Sequence, residues 1–383
     1  MRIAMLGHKR VPSREGGVEI AVEELAVRMA AQGHEVTLYN RRGHHVSGKQ
    51  FDMQALREHR GVTLKSVPTI NIKGVAAMTA SAFAAIRAAF GRYDVVHFHT
   101  EGPCAMLWLP KLLGKRCVAT IHGLDHQRSK WGRFARTYIL LGEKCLVRKA
   151  DEVIVLSRAA QEYFREQYKR ETTLIPNGMT PVTPRTAEMI RTRYGLEKDS
   201  YILFLGRITP EKGLDYLLDA YQRLHTDKKL VIAGGGSDSD GYFRQLKLQA
   251  AENKDILFTD FVQGQILEEL YSNAYLYVLP SDLEGMPLSL LEALSYGNCC
   301  VVSDIPENAD VVGDCGVTFR KSDTADLAEK LQRLADDAET VQRFRAAVAD
   351  RLHTMNGWDE VTQRTLMTYA GETAPTMGTQ ADA

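Results

Sequence analysis

Two doubly wound α/β halves, each a mainly parallel sheet with helices on both faces, are the fold class this 383-residue sequence predicts. Three observations carry the prediction. Short β-rich runs alternate with helical patterns along the whole chain. Several runs, among them "YILFLGR" and "AYLYVLPS", are apolar almost throughout, as strands covered on both faces must be. The charge also divides: residues 1–180 hold 28 Lys and Arg against 16 Asp and Glu, while 181–383 hold 20 against 32, and the net charge is zero. Such a split fits two domains, the first of which meets something anionic.

In chain order the first half gives strands at "RIAMLG", "HEVTLYN", "VTLKSV", "DVVHFH", "CVATIHG", "DEVIVLS" and "TTLIPN". The first helix starts near Val18, with Val18, Val22, Leu25 and Met29 on one face and Glu19, Glu23 and Glu24 near its N-terminus. The stretch "PNGMTPVTPRTAEM" (176–189) is rich in Pro and Thr and marks the boundary. The second half gives "YILFLGR", "KLVIAGGG", "ILFTDF", "AYLYVLPS", "CCVVSD" and "GVTFR". A last helix is predicted at 357–370 with Trp358, Val361, Leu366 and Tyr369 as its apolar positions, followed by a disordered tail. No apolar run is long enough to span a bilayer, and the opening "MRIAMLGH", read as a strand, predicts a chain without a secretory leader. Six cysteines without C-x-x-C or His-Cys ligand spacing read as reduced, semi-buried thiols of a cytosolic chain.

Ligands of doubly wound sheets bind at the carboxyl ends of the strands, so the informative residues are those where strands end. Gly16-Gly17 directly precedes the first helix, where backbone N–H groups and the helix N-terminus suit an anion; the other reading is a plain turn. Arg207 ends a strand and Lys212 follows five residues on, a pair able to converge on a diphosphate or to remain solvated loop charges. His122, followed by Gly123, sits just past a strand and is either aimed into a cleft or structural. His97 and His99 alternate in "VVHFHT"; no third ligand completes a metal set, which favours hydrogen-bonding roles. Asp238-Ser239-Asp240 is read as a loop and helix N-cap rather than a metal clamp.

The stretch "DLEGMPLSLLEALSYGNCCVVSD" (282–304) places Glu284 before, and Glu292 inside, a helix that Pro287 opens at its first turn. N–H groups around Gly285–Leu288 would point at a ligand. Glu292 can accept both hydroxyls of a ribose and Glu284 those of a hexose, unless Glu292 is a half-exposed helix residue paired with a Lys or Arg.

Taken together, "GGVE", "IHG", "DEVIVLS", "IPNG", "GRITPEKG", "AGGG" and "EGMPLSLLEA" resemble, in that order and over nearly the full length, family 4 of the retaining glycosyltransferases. The opening "GHKRVPSREGGVEIAVEELA" further resembles a bacterial subgroup that builds surface polysaccharides. The resemblance implies a GT-B fold: two Rossmann-like domains facing each other across a cleft, 1–180 on the acceptor side and 181–355 binding the nucleotide-diphosphate sugar. A helix over 356–372 would cross back to the first domain, leaving 373–383 as the tail. It implies that Arg207 and Lys212 bind the donor diphosphate, Glu284 the donor sugar and Glu292 the ribose. Gly285, Met286, Pro287 and Leu288 would line the sugar–phosphate pocket, with Pro287 offering only its carbonyl. Gly16 and Gly17 would close on the phosphate, His122 would lie beside the reacting sugar, and Val262 would lie near the nucleobase. No metal and no cofactor is expected, because fixed cations and helix N-termini can stabilise the leaving diphosphate. No residue is assigned as general base.

The basic stretch 128–151 holds seven cations interleaved with Trp131, Phe134 and Tyr138. It predicts contact with an anionic membrane surface carrying a lipid-linked or growing glycan acceptor, at the inner face of the cell membrane; the other reading is a packed helix with solvated charges. Alternative functions on this architecture are a sugar-nucleotide epimerase and a non-catalytic nucleotide-sugar-binding subunit. The lack of G-x-G-x-x-G disfavours a dehydrogenase, and the neutral total charge disfavours nucleic acid as a partner.

Overall fold

The computed structural model describes residues 1–43, 56–70, 72, 75–128, 131–236 and 240–372. The first half forms a sheet of β1 (Arg2–Leu6), β2 (Glu35–Arg41), β3 (Glu58–His59), β4 (Val62–Val67), β5 (Val95–His99), β6 (Arg116–Ile121), β7 (Glu152–Val155) and β8 (Thr173–Leu174). The second forms β9 (Tyr201–Leu205), β10 (Lys229–Ala233), β11 (Ile256–Asp260), β12 (Leu276–Leu279), β13 (Cys300–Ser303) and β14 (Gly316–Phe319). The orders are β3-β4-β2-β1-β5-β6-β7-β8 and β11-β10-β9-β12-β13-β14. Each expected strand is present. The unexpected one, β3, is a two-residue antiparallel edge on β4, too short to leave a periodic signal.

Both sheets reverse their strand order at the centre. Met5 on β1 lies between Leu38 and His97, and Leu203 on β9 lies between Val231 and Tyr277. Residues 201–204 of β9 are fully buried, the burial that the unbroken apolar run requires. The reversal leaves a crevice at the carboxyl ends of each sheet.

Helices α1 (Gly17–Ala31), α2 (Val75–Phe90), α3 (Trp108–Leu112), α4 (Arg133–Lys149) and α5 (Arg158–Tyr168) cover the first sheet. Those of the second half are α6 (Met189–Tyr194), α7 (Leu214–Tyr221), α8 (Asp240–Gln249), α9 (Gln265–Asn273), α10 (Leu288–Ser295), α11 (Pro306–Val312), α12 (Thr324–Asp336) and α13 (Ala338–His353). The chain closes with α14 (Trp358–Ala370). Right-handed crossovers running outward from β4 to β8 put α2, α3, α4 and α5 in one layer, on the face opposite α1. The core divides accordingly. Val22, Leu25 and Met29 of α1 join one apolar cluster, and Ala84, Ala88, Leu146 and Phe164 of the opposite layer join another.

The chain passes between the halves twice. The first passage lies between β8 and α6; α6 belongs to the second half, since Glu269 on α9 accepts the Glu188 and Ile190 amides at 3.0 Å. The second leads into α14, which returns to the first half as expected. There Arg28 reaches Asp359 (2.8 Å), Arg116 donates to the Thr368 carbonyl (2.9 Å), and the Tyr369 hydroxyl meets His97 Nδ1 (2.6 Å). Trp358, Val361, Leu366 and Tyr369 are all buried. The two passages are joined side by side, the Met179 amide donating to the Asn356 carbonyl at 2.9 Å. All six cysteines are free thiols. The tail 373–383 lies outside the described residues.

Candidate active site

The carboxyl ends of both sheets line one cleft of about 600 Å³. Gly16, Gly17, His122, Arg207, Lys212, Val262, Glu284, Gly285, Met286, Pro287, Leu288 and Glu292 all lie on its wall, contributed by both halves.

The two walls meet backbone to backbone. A Cβ on Gly285 would stand 2.0 Å from the His122 carbonyl oxygen, and the Gly285 Cα lies 3.3 Å from where a Cβ on Gly123 would be. Gly123 also holds φ +133°, which side-chain-bearing residues rarely adopt. Glycine on both strands of this contact is therefore what lets the loop carrying Glu284 close on the loop carrying His122. Gly17 faces the Leu288 side chain of α10 at ordinary contact distance, so there the approach does not itself require glycine.

Lys212 ends a short turn after β9 and is buried, as is Glu284, and the two form a direct ion pair. Lys212 is thus no solvated loop charge. Its expected diphosphate role and the sugar role of Glu284 belong to one coupled pair. Arg207, half-buried, lends its charge across the cleft to Glu19. Glu19 lies in the first turn of α1 as expected, and it is buried and accepts the Lys9 amide at 2.8 Å. Burial opposes its ionisation, but Lys9, His8 and Arg207 outweigh that and hold its pKa low.

Pro287 stands one position earlier than expected. It is the N-cap residue in extended geometry (φ −74°, ψ 112°), and α10 begins at Leu288. Its carbonyl accepts the Leu290 and Leu291 amides at 3.1 and 3.3 Å, so the helix-start donors belong to Leu288 and Ser289. Among the described residues, Glu292 of α10 forms no direct ion pair with a Lys or Arg, although the charge of Arg14 acts on it. The Tyr271 hydroxyl donates to its Oε2 at 3.0 Å and orients the carboxylate on the cleft wall, while burial raises its pKa.

Burial lowers the pKa of His122 to about 4, partly countered by Asp125 and Glu19, so the ring is neutral near pH 7. Its Nε2 lies 3.0 Å from His99 Nδ1, and the His99 ring stacks at 4.1 Å on His97, itself bonded to Thr120 Oγ1 (2.7 Å) and Tyr369. His97 and His99 are thus hydrogen-bonding supports behind His122, as expected.

One cleft residue, Asn177, has no role in the sequence reading, and another, Arg128, is counted there among the membrane-facing cations of 128–151 but lies on the cleft wall. Arg128, from the loop after β6, donates to Asp125 Oδ1 (2.7 Å) and reaches across the cleft to Glu211 Oε1 (3.1 Å), the neighbour of Lys212. Burial opposes its charge, but Asp125, Glu211 and Glu284 more than compensate. Asn177, within the quoted "IPNG", donates through Nδ2 to the Met286 carbonyl at 3.1 Å and so fixes the loop before α10. Neither has a local signature, since Arg128 and Glu211 are 83 positions apart.

Among the described residues, Glu101, His126 and Glu143 bring ligand-type atoms within 4.8 Å of one another, buried behind the cleft wall. His126 Nδ1 lies 3.4 Å from Glu101 Oε1 and 3.1 Å from Glu143 Oε2, and these two carboxylates lift its pKa to about 9. Glu143 Oε2 itself has no hydrogen-bond partner among the described residues. Asp238 and Ser239 lie outside the described residues, and Asp240 opens α8.

Residues 15–183 match the family model described as Glycosyltransferase Family 4, and residues 187–351 match the one described as Glycosyl transferases group 1. The chain is a family 4 glycosyltransferase of the GT-B fold. Relatives of the family include a Bacillus subtilis glycosyltransferase, YqgM, 34% identical across 55% of this chain and 59% of its own. The glycogen synthase of Mycobacterium tuberculosis is 29% identical across 96% and 94%. Among solved structures, sucrose-phosphate synthase from Thermosynechococcus elongatus superposes with TM-score 0.79 at 20% identity, over 97% of this chain and 98% of that one. Anabaena HepE in complex with UDP-glucose gives 0.79 at 17%, over 97% and 100%. The relatives differ in the products their names describe, so the match establishes a glycosyltransferase and leaves its sugar and acceptor open.

Proposed function

We propose that this glycosyltransferase moves a hexose from a nucleoside-diphosphate sugar to an acceptor hydroxyl, on a lipid-linked or growing surface glycan, with retention of the anomeric configuration and without a metal ion. The observation that carries the reading is the convergence of Arg207, the Lys212–Glu284 pair and the N-terminal end of α10 on one cleft wall, with neutral His122 opposite. A UDP-glucose complex of a structural neighbour supports a nucleotide sugar as donor.

Cleaving the sugar–diphosphate bond leaves a cationic sugar and an added negative charge on the leaving group. Fixed cations and helix-start N–H groups in a cleft of low dielectric stabilise that charge without reorganising. On this reading Arg207 and Lys212 take up the diphosphate. Lys212 then exchanges part of its attraction to Glu284 for the phosphate, freeing that carboxylate to accept donor-sugar hydroxyls. Glu292, oriented by Tyr271, accepts ribose hydroxyls. A neutral His122 can accept or donate a hydrogen bond at the sugar but adds no charge of its own. The enzyme works on the cytoplasmic side of the membrane, where the basic first half faces the acceptor-bearing surface.

The test is a thermal-shift panel of uridine, guanosine and deoxythymidine diphosphate sugars with chelator present, followed by NMR of the anomeric centre in the product. A shift for one donor class, turnover in chelator and a retained configuration are the expected results. Donor conversion without any second substrate would make the protein an epimerase, and binding without consumption would make it a non-catalytic subunit. Turnover abolished by chelator would remove the metal-free claim.

A further inference from the structure

We propose that the outer surface of the α2–α3–α4 layer is a docking face for an anionic lipid bilayer, its exposed apolar side chains entering the interface while interleaved cations meet the headgroup phosphates. The proposal takes its purpose, access to a lipid-linked acceptor, from the transferase reading; its evidence is independent of that reading.

Large apolar side chains are exposed along all three helices. On α2, Phe83, Ile86 and Phe90 recur at helical spacing on one stripe, and Phe90 is 75% exposed. Trp108 and Leu112 stand one turn apart on α3, and α4 contributes Phe134, 71% exposed, and Leu141. Among the described residues the second half exposes only Met189 and Leu248 in this class. Isolated surface hydrophobics are ordinary, but a set shared by three helices of one layer is not.

The charge on this face has one sign. No Asp or Glu occurs in α2 or α3, and the sole acid of α4, Glu143, is buried. Arg87, Arg133, Arg136, Lys144, Arg148 and Lys149 are exposed on the same helices. Aromatic and aliphatic groups flanked by cations suit the boundary between headgroups and acyl chains. A second copy of this chain is a poor occupant, because a two-fold contact would set basic patch against basic patch. The structure also revises the basic stretch itself: of its three aromatics only Phe134 is exposed, Trp131 and Tyr138 being half-buried. Because α4 starts at the loop that leaves the carboxyl end of β6, Arg133 and Phe134 lie where this face approaches the cleft mouth.

The purified protein is to be floated with phosphatidylcholine vesicles, with or without phosphatidylglycerol, at low and high salt. A thermal-shift titration with uridine, guanosine and deoxythymidine diphosphates monitors the cleft. Flotation is expected only with the anionic vesicles, weakened about tenfold or more by Lys144→Glu/Arg148→Glu or by Phe90→Ser/Leu112→Ser, with the nucleotide response unchanged. Quenching of tryptophan fluorescence by brominated lipid, lost in Trp108→Phe, reads insertion without disturbing the fold. Failure to float, or equal flotation with neutral and anionic vesicles, overturns the docking face and leaves the transferase reading standing if a nucleotide still binds. Anionic-vesicle binding with no response to any of the three nucleotides keeps the face and removes the proposed uridine, guanosine or deoxythymidine diphosphate sugar donor. A vesicle-independent dimer dissolved by the same substitutions assigns the face to a second copy and overturns the proposal.

Discussion

The two halves share a strand-order reversal and differ in what stands behind it. In the second half, Arg207, Lys212, Glu284 and Glu292 line the cleft above the apolar strands β9 and β10, and the buried polar residues Ser281, Ser303 and Asn308 are uncharged and bonded to one another. In the first half polarity continues inward: His97, His99, Glu101, His126 and Glu143 are all buried. His99 and His97 connect His122 at the cleft with Tyr369 of α14, while Glu101 accepts the Asp125 amide beside Arg128 and meets His126, which meets Glu143. The second half thus offers charges to a ligand, whereas the first holds a wall in place through buried hydrogen bonds. Buried polar networks of this kind orient residues more than they add stability.

The contrast breaks most visibly at Lys212. Lys212→Ala is expected to cut turnover by about a thousandfold, the scale of losing one fixed charge at a developing anion. Because Lys212 is buried against Glu284, the variant should also melt earlier. Lys212→Met/Glu284→Gln should recover the melting temperature and not the turnover. Recovery of both would show the pair to be structural.

Arg128 tests the first half. Arg128→Ala is expected to lower kcat/KM for the donor by about ten- to a hundredfold, and Glu211→Gln should add little once Arg128 is gone, as for residues in direct contact. Additive effects in the double-mutant cycle would separate the two. A smaller effect, about tenfold on donor KM with kcat retained, is expected for Glu292→Gln, which weakens a charged hydrogen bond made in ground and transition states alike.

The smallest effect concerns pH and belongs to the first half alone. The carboxylates of Glu101 and Glu143 raise His126 to about 9 in the folded protein, against about 6.5 when unfolded. The resulting stabilisation is complete below pH about 6.5 and disappears as pH climbs through about 9. Thermal unfolding of the wild type and His126→Asn should therefore converge as pH rises over that window. A constant gap would mean that His126 is not the proton holder.

Much of this was legible in the sequence because doubly covered strands must be apolar and functional groups must follow their ends. Gly16, His122, Arg207 and Glu284 each follow such a run, so topology alone brings them together. Four kinds of feature were not legible. The edge strand β3 is too short to carry a period. Arg128 acts through Glu211 in the other half, and Glu101, His126 and Glu143 meet only through the packing of α4 on the preceding loops. The sequence leaves Lys212 between a diphosphate clamp and a solvated loop charge, and the burial of Glu19 carries no signal, because a lysine or an acid reads alike in sequence until its partner is located. Pro287 was displaced by one position because cap and first-turn prolines look alike in sequence.

The paired crossings at Met179 and Asn356 have one more consequence. A single tether would leave the lobes free to swivel about it, whereas two tethers bonded side by side restrain that swivel and keep the facing walls in register.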